Sequence, residues 1–201
     1  MKKPRKERKE NAERRRRQLL DAARRSILAH GLARTTLATV ADEAGLSQGV
    51  AVFYFTSKGG LLTETLRDLY DGYEALWTAA LEAAGSAPQD RLMALLEADF
   101  RAEACGPEVL PLWFAFWGEL RFTGQYAEVA EAFDRRRREA LMAVWERLLP
   151  KDRKSEAGQM ADWMEALTDG YWQRLHLAPE VFSRVEAVTA CRICLERLLA
   201  R

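Results

Sequence analysis

The sequence predicts an all-α chain, about nine helices in total, in which an N-terminal three-helix helix-turn-helix head precedes a C-terminal helical body. Three observations carry that expectation. Residues 36–58 read as two short helices around a tight turn. Beyond them, apolar residues recur at intervals of three and four and are interrupted only by Gly, Pro and short polar breaks, with no credible strand. The charge also divides: residues 1–60 hold 14 Lys+Arg against 6 Asp+Glu, whereas residues 61–201 hold 17 against 24. A basic head is drawn to phosphate by counterion release, and an acidic body is repelled from a duplex and keeps the head turned toward it.

Each element follows from local chemistry. Residues 1–10 lack an apolar side chain after Met1 and are dense in Lys and Arg, which reads as a disordered basic arm that either follows a DNA backbone or is simply solvated. Helix 1 is expected over residues 11–30, with Leu19, Leu20, Ala23, Ile27 and Leu28 as its stripe and Gly31 as its end. Either Thr35 or Thr36 can cap helix 2 and offer a hydroxyl to a phosphate. Leu37, Val40 and Ala41 form that helix's apolar face, Gly45 supplies a turn residue free to take positive φ, and Leu46 returns to the core. Ser47 then caps helix 3 over residues 48–55, closing a DNA-binding domain at residues 11–58. A body of residues 59–201 opens with a long helix over residues 61–84 and continues with helices over 89–104, 107–121, 124–149, 155–177 and 180–199.

Composition narrows the function. No run of eighteen apolar residues spans a bilayer and the N-terminus is too charged for a secretory signal, so the expected location is the cytoplasm. Three cysteines argue against a disulfide framework; Cys191 and Cys194 form a C-x-x-C that reads as helix packing, with a redox or metal role as the alternative. Two histidines, no metal-ligand cluster, no phosphate-cradling glycine loop and no nucleophile motif leave nothing to carry catalysis, and no cofactor is expected.

In the head, Gln48 is either a solvated first-turn residue or a bidentate partner for an adenine edge. Gly49 permits close backbone approach. Val52 and Phe53, if they point outward, are apolar side chains better matched to DNA than to water. Arg14 to Arg17 put positive charge at the expected start of helix 1, where the dipole favours an anion such as phosphate. The runs Arg135 to Arg138 and Lys151 to Lys154 read as solvated faces. In the body, Trp113 and Trp117 lie one turn apart, as do Glu165, Asp169 and Trp172 along another helix. Aromatics at such spacing are usually core, but a cage of them beside a carboxylate suits a quaternary ammonium group, which has no N–H to donate. His176 reads as an ordinary helix-end residue. The last two helices carry stripes, Met160, Trp163, Met164, Leu167, Leu175 and then Val181, Val185, Val188, Ile193, Leu195, Leu198, that serve as core or pair with a second copy.

Taken together, Ala22-Ala23, Gly31, Thr35-Thr36, Val40-Ala41, Ala44-Gly45, Leu46-Ser47, Gly49, Tyr54-Phe55, Ser57-Lys58 and Leu61-Leu62 resemble the head of the TetR family of transcriptional repressors. Lys58-Gly-Gly-Leu-Leu62, Leu112-Trp-Phe-Ala-Phe-Trp-Gly-Glu119 and Thr168-Asp-Gly-Tyr-Trp172 look like its BetI subgroup, which responds to choline and governs glycine betaine synthesis. Val52 and Phe53 depart from the family pattern, which often has an aromatic hydroxyl at the first position and a polar residue at the second. The resemblance implies a homodimer on palindromic operator DNA, an inducer pocket in the body, phosphate anchors at Tyr54 and Lys58, and a four-helix dimer interface. The expected function is therefore a ligand-responsive DNA-binding repressor released by choline or another quaternary ammonium. Alternatives are a repressor answering an unrelated hydrophobic or cationic ligand, as in efflux control, and a non-specific helical DNA-binding module.

Overall fold

The computed structural model describes residues 5–199 and contains, among them, ten α-helices, one 3₁₀ helix and no strand. These are α1 (Arg5–Arg34), α2 (Leu37–Glu43), α3 (Gln48–Phe55), α4 (Lys58–Ala83), α5 (Pro88–Asp99), α6 (Ala102–Cys105), α7 (Leu110–Trp117), α8 (Gly124–Leu148), a 3₁₀ helix (Lys151–Glu156), α9 (Ala157–Leu177) and α10 (Arg184–Leu199). One expectation changes. Helix α1 begins at Arg5, so residues 5–10 of the expected arm are helical and residues 1–4 lie outside the described residues. Its N-terminal part is solvated on every side, held by i,i+4 pairs such as Lys9–Glu13. Gly31 ends the first helical stretch as expected, leaving helical geometry at φ +77° and ψ 168°, and a short further turn runs on to Arg34.

The chain divides into two compact units. The first takes the chain up to Leu69 together with Leu112–Val129; the second holds Tyr70–Pro111 and the chain from Ala130 onward. The boundary expected after residue 58 therefore falls within α4, and a piece of the expected body belongs with the head.

In the first unit, Leu19, Leu20, Ala22 and Ala23 of α1 close on Val40 and Ala41 of α2, Ala51 and Phe55 of α3, and Leu61 of α4. Small residues at Ala22, Ala23, Ala41 and Ala51 let the helix axes approach, and the leucines fill the space between them. The turn from α2 to α3 is made by Gly45 at φ +64°, with the Leu46 amide donating to the Ala41 carbonyl at 2.8 Å. A Cβ at Gly45 meets nothing within 4 Å, so its requirement is conformational alone. Gly45→Ala is expected to lower stability by about 1 kcal/mol, measured by urea denaturation; no loss would remove the case for a left-handed residue at this turn.

The second unit is built on Leu92, Leu95 and Leu96 of α5, Leu141, Val144 and Trp145 of α8, Met160, Ala161 and Met164 of α9, and Ala187, Cys191 and Leu195 of α10. Cys191 is fully buried and Cys194 half-buried. Burial pushes the Cys191 and Cys105 thiols up to about 12, the opposite of what a reactive thiolate needs, which favours packing for the C-x-x-C. The stripes of the last two helices divide: Met160, Met164, Leu175 and Leu195 are buried, whereas Trp163, Val185 and Ile193 face outward.

Candidate nucleic-acid interface and ligand site

Ser47, Gln48, Gly49, Val52 and Phe53 form one exposed face of α3, while Ala51 and Phe55 anchor its other side in the head core. Ser47 occupies the N-cap position, but its hydroxyl makes no capping hydrogen bond. Phe53 is 79% exposed and Val52 43%. Phe53 stands edge-on to half-buried Tyr54, ring centroids 5.2 Å apart and planes at 86°. The helix ends in a γ-turn: Thr56 takes φ +62°, the only positive φ at a described non-glycine residue, and the Ser57 amide donates to the Phe55 carbonyl at 2.6 Å. Such a conformation in a β-branched residue stores strain, here at the join between α3 and α4.

Three expected phosphate contacts have other employment. Thr35 is fully buried; its hydroxyl donates to the Gly31 carbonyl at 3.0 Å and lies 3.1 Å from the Ser26 hydroxyl, so it fixes the α1–α2 join instead of facing a duplex. Thr36 is the true N-cap of α2. Its hydroxyl accepts from the Thr39 amide at 3.1 Å, and the Thr39 hydroxyl accepts from the Thr36 amide at 2.9 Å, a reciprocal capping box. Lys58 donates from Nζ to the Ala33 carbonyl at 2.6 Å, placing a cation on the C-terminal end of α1. Sequence reasoning missed Thr39, although Thr-x-x-Thr is a capping pattern with threonine in place of the usual glutamate.

The basic run of α1 is also corrected. Because α1 starts at Arg5, Arg14 to Arg17 lie well inside it and the dipole no longer asks for an anion there. The protein supplies its own: Arg16 pairs with Glu64, Arg17 with Asp21 and Asp68, and Arg24 with Asp68. A polar recess of about 640 Å³, lined by Arg16, Tyr54, Thr63, Glu64, Arg67 and Gln125, lies in this unit. Arg16 and Arg67 share Glu64 there, so its charge is balanced from within.

The second unit is organised around a buried carboxylate. Asp99, 2% exposed, accepts from the Tyr73 hydroxyl at 2.7 Å, from Arg137 Nη2 at 2.7 Å and from the Thr168 hydroxyl at 3.3 Å. The Trp172 indole N–H donates to the Asp99 carbonyl at 2.9 Å. Burial raises the Asp99 carboxyl, and the Arg137 charge with the three side-chain donors pulls it partly back. Arg137, 6% exposed, stands over the rings of Trp77 and Tyr73 at 5.4 and 5.7 Å. The solvated-face expectation for Arg135 to Arg138 thus fails at Arg137, which pairs with Asp99; Arg136 pairs with Glu74 above the Phe133 ring and Arg138 with Asp162, both with exposed side chains. A four-residue run covers more than a full turn of helix, so part of it must face inward.

Arg138 pairs with Asp162 between α8 and α9, and Asp134 of α8 lies within electrostatic reach of Glu165 and Asp169 of α9. Burial pushes Glu165 up to about 7 and Asp134 and Asp169 up to about 6; the Arg137 charge pulls Glu165 partly back, Asp134 repels both Glu165 and Asp169, and Glu131 adds to the rise at Asp134. Glu165 is half-buried, and Asp134 and Asp169 reach solvent. Tyr73, half-buried and held edge-on by Trp172 with centroids 5.6 Å apart, lies within electrostatic reach of Asp169. Of the residues expected around a ligand, Glu165, Asp169 and Trp172 thus belong to one unit. Trp113 and Trp117 belong to the other, where their rings lie 6.0 Å apart; Trp113 is 1% exposed and serves as core there. Tyr73, Asp99, Asp134 and Arg137 were not anticipated. Asp99 falls on the apolar stripe of α5, at helical spacing from Leu92, Leu95 and Leu96, which was the one available signal for it.

Comparison with known proteins agrees with both halves. Residues 19–65 match the model of bacterial regulatory proteins of the tetR family, and residues 88–200 match the BetI-type transcriptional repressor C-terminal domain. The HTH-type transcriptional regulator BetI of Burkholderia mallei (strain NCTC 10229) is 36% identical over 186 residues, covering 92% of this chain and 94% of its own. BetI of Paraburkholderia xenovorans is 35% identical over 189 residues, with the same coverage. Among solved structures, a transcriptional regulator from Pseudomonas aeruginosa PAO1 superposes with a TM-score of 0.84 at 26% identity, covering 94% of this chain and 91% of its own. One from Saccharomonospora viridis in complex with choline shares the fold at a TM-score of 0.77 and 19% identity, covering 90% and 95%. No helix among the described residues is long and apolar enough to cross a membrane. With its head and its body each matched in the order the fold displays them, the chain belongs to the TetR family of DNA-binding transcriptional regulators and carries a BetI-type C-terminal domain.

Proposed function

We propose that this regulator is a homodimeric repressor of a palindromic operator, released when a small quaternary ammonium compound of the choline class binds at the carboxylates of its second unit, and that it controls glycine betaine synthesis genes. The observation that carries the effector is the desolvated set Glu165, Asp169 and Asp134 beside Tyr73. Three carboxylates crowded at raised pKa lower their free energy by gaining a cation, and an aromatic ring serves a cation without N–H donors better than a hydrogen-bonding site does. The choline bound to the Saccharomonospora viridis relative and the BetI identity of the curated relatives support the same ligand class.

The dimer rests on the outward residues of α9 and α10. Trp163, Leu177, Val181, Val185 and Ile193 are exposed large apolar side chains on or between these helices, and a two-fold operator needs a two-fold protein. In the head, Ser47, Gln48, Gly49, Val52 and Phe53 face the bases; Tyr54 flanks them toward the backbone, and Thr35, Thr36 and Lys58 position the helices. Effector binding changes the separation of the two recognition helices, which demands tighter binding to the DNA-free form, because a ligand with equal affinity for both forms shifts nothing.

Calorimetric titration of the purified protein with choline, alongside sedimentation equilibrium, tests this reading. The expected result is a dimer that binds choline and loses that binding on Glu165→Gln with Asp169→Asn. A monomer, or a dimer that takes an uncharged isostere of choline as readily as choline itself, would contradict it.

A further inference from the structure

The exposed face of α3 has an unusual chemistry for a surface held against a polyanion. No residue from Gln48 to Phe55 is charged, so this helix has no Arg or Lys to reach the O6 and N7 acceptors of guanine. Its outward face offers one hydrogen-bonding helical side chain, Gln48, and two apolar ones, Val52 and Phe53. These sit at positions 48, 49, 52 and 53, a single face at helical spacing.

Packing accounts for none of the outward residues. Phe53 contributes to no described core cluster, and four-fifths of its surface faces solvent. Gly49, one turn before Phe53, has no positive φ, and a Cβ there would meet only the Ser47 hydroxyl at 3.9 Å. The fold would accept a side chain at 49, and its absence leaves an open notch beside the Phe53 ring. The ring itself is held by its edge-on contact with Tyr54, so it presents a fixed apolar surface at little ordering cost. In a major groove, the one apolar group on a base edge is the C5 methyl of thymine.

We infer that Val52 and Phe53 read thymine methyl groups in the operator half-site, beside an adenine read by the Gln48 amide, so that this protein's recognition is concentrated on A·T pairs. The inference rests on the operator-binding reading and goes beyond it by naming the bases and the group recognised. It also gives a physical role to the two positions where the head departs from the family pattern.

The test uses the full-length protein to select its tightest duplex from a random library, and then resynthesises that duplex with deoxyuridine in place of each thymidine in turn. Removing one contacted methyl is expected to weaken binding about fourfold, with no effect at positions outside the groove face of α3. Replacing a contacted thymine with 5-methylcytosine, which keeps the methyl, should retain more affinity than cytosine. Phe53→Ala and Val52→Ala, at exposed positions that leave the thermal midpoint unchanged, should bind thymidine and deoxyuridine duplexes alike at the position each one contacts. Selected half-sites without thymine, or wild-type affinity that stays within twofold under every deoxyuridine substitution, would overturn the methyl reading alone. Failure to select any specific duplex would instead overturn the operator reading beneath it.

Discussion

Replacing Arg137 with alanine is expected to cost about 3–5 kcal/mol of stability, the largest effect of any single substitution of a charged residue in this chain. Asp99 is 2% exposed and Arg137 6%, so removing the guanidinium strands a carboxylate that water cannot reach. The Tyr73 and Thr168 hydroxyls remain as donors, but neither carries charge. With a midpoint shift of about 2–4 °C per kcal/mol for a chain of this size, the thermal midpoint should fall by roughly 6–20 °C. The pair itself is not expected to be a large net source of stability. Desolvating both ions offsets most of their attraction, so Asp99→Leu combined with Arg137→Met should recover well over half the loss. Thermal unfolding of the three variants measures both quantities. A single-variant loss under 1 kcal/mol would mean that Asp99 is not buried in the way described.

Lowering the pH from 8.0 to 5.5 should move ligand-free stability and effector affinity in opposite directions. Glu165 titrates at about 7 and Asp134 and Asp169 at about 6 in the folded chain, above the ordinary carboxylate range. Between those values and the unfolded ones the folded protein holds more protons than the unfolded chain, so stability rises as pH falls through the folded pKa values. A cation needs the charged forms, so its affinity falls over the same interval, by about tenfold or more if two of the three carboxylates must ionise. Glu74, Glu156, Asp162 and Glu186 are lowered by Arg136, Arg153, Arg138 and Ser183 respectively; the stability they contribute is lost only at more acid pH, which leaves the 5.5–8.0 interval to the raised group. Thermal midpoints with and without choline at the two pH values read both effects. In the Glu165→Gln, Asp169→Asn variant both slopes should flatten, and a choline increment that grows as the pH falls would contradict the site.

The helix-turn-helix was legible because its determinants are local. A glycine at positive φ, a capping hydroxyl and apolar residues at helical spacing each act within a few residues, and Gly45, Thr36 and the Leu19 to Leu61 core stand where the sequence places them. The exposure of Val52 and Phe53 was legible for the same reason. What was not legible depended on partners distant in the chain. Thr35 carries a hydroxyl suited to phosphate, and only the approach of Ser26 and the Gly31 carbonyl shows that it is already bound. Arg137 looked like one solvated arginine among four because its partner lies 38 residues away. Trp113, Trp117 and Trp172 looked alike by spacing, yet Trp113 fills the core of one unit and Trp172 donates to the Asp99 backbone in the other. The early start of α1 was missed because a helix sustained by Lys–Glu pairs shows no apolar period.

The strained Thr56 turn joins the recognition helix to α4, which, like α7 and α8, has residues in both units. A regulator needs such a connection, because an effector bound among Tyr73, Glu165 and Asp169 reaches DNA only by changing what α3 presents.

Fluorescence anisotropy of a labelled operator duplex, titrated with the full-length protein at pH 8.0 with and without saturating choline, tests that coupling most directly. Choline is expected to lower operator affinity at least tenfold for the wild type and to leave that of the Glu165→Gln, Asp169→Asn variant unchanged. Operator affinity unaltered by choline in a wild-type protein that demonstrably binds choline would contradict it.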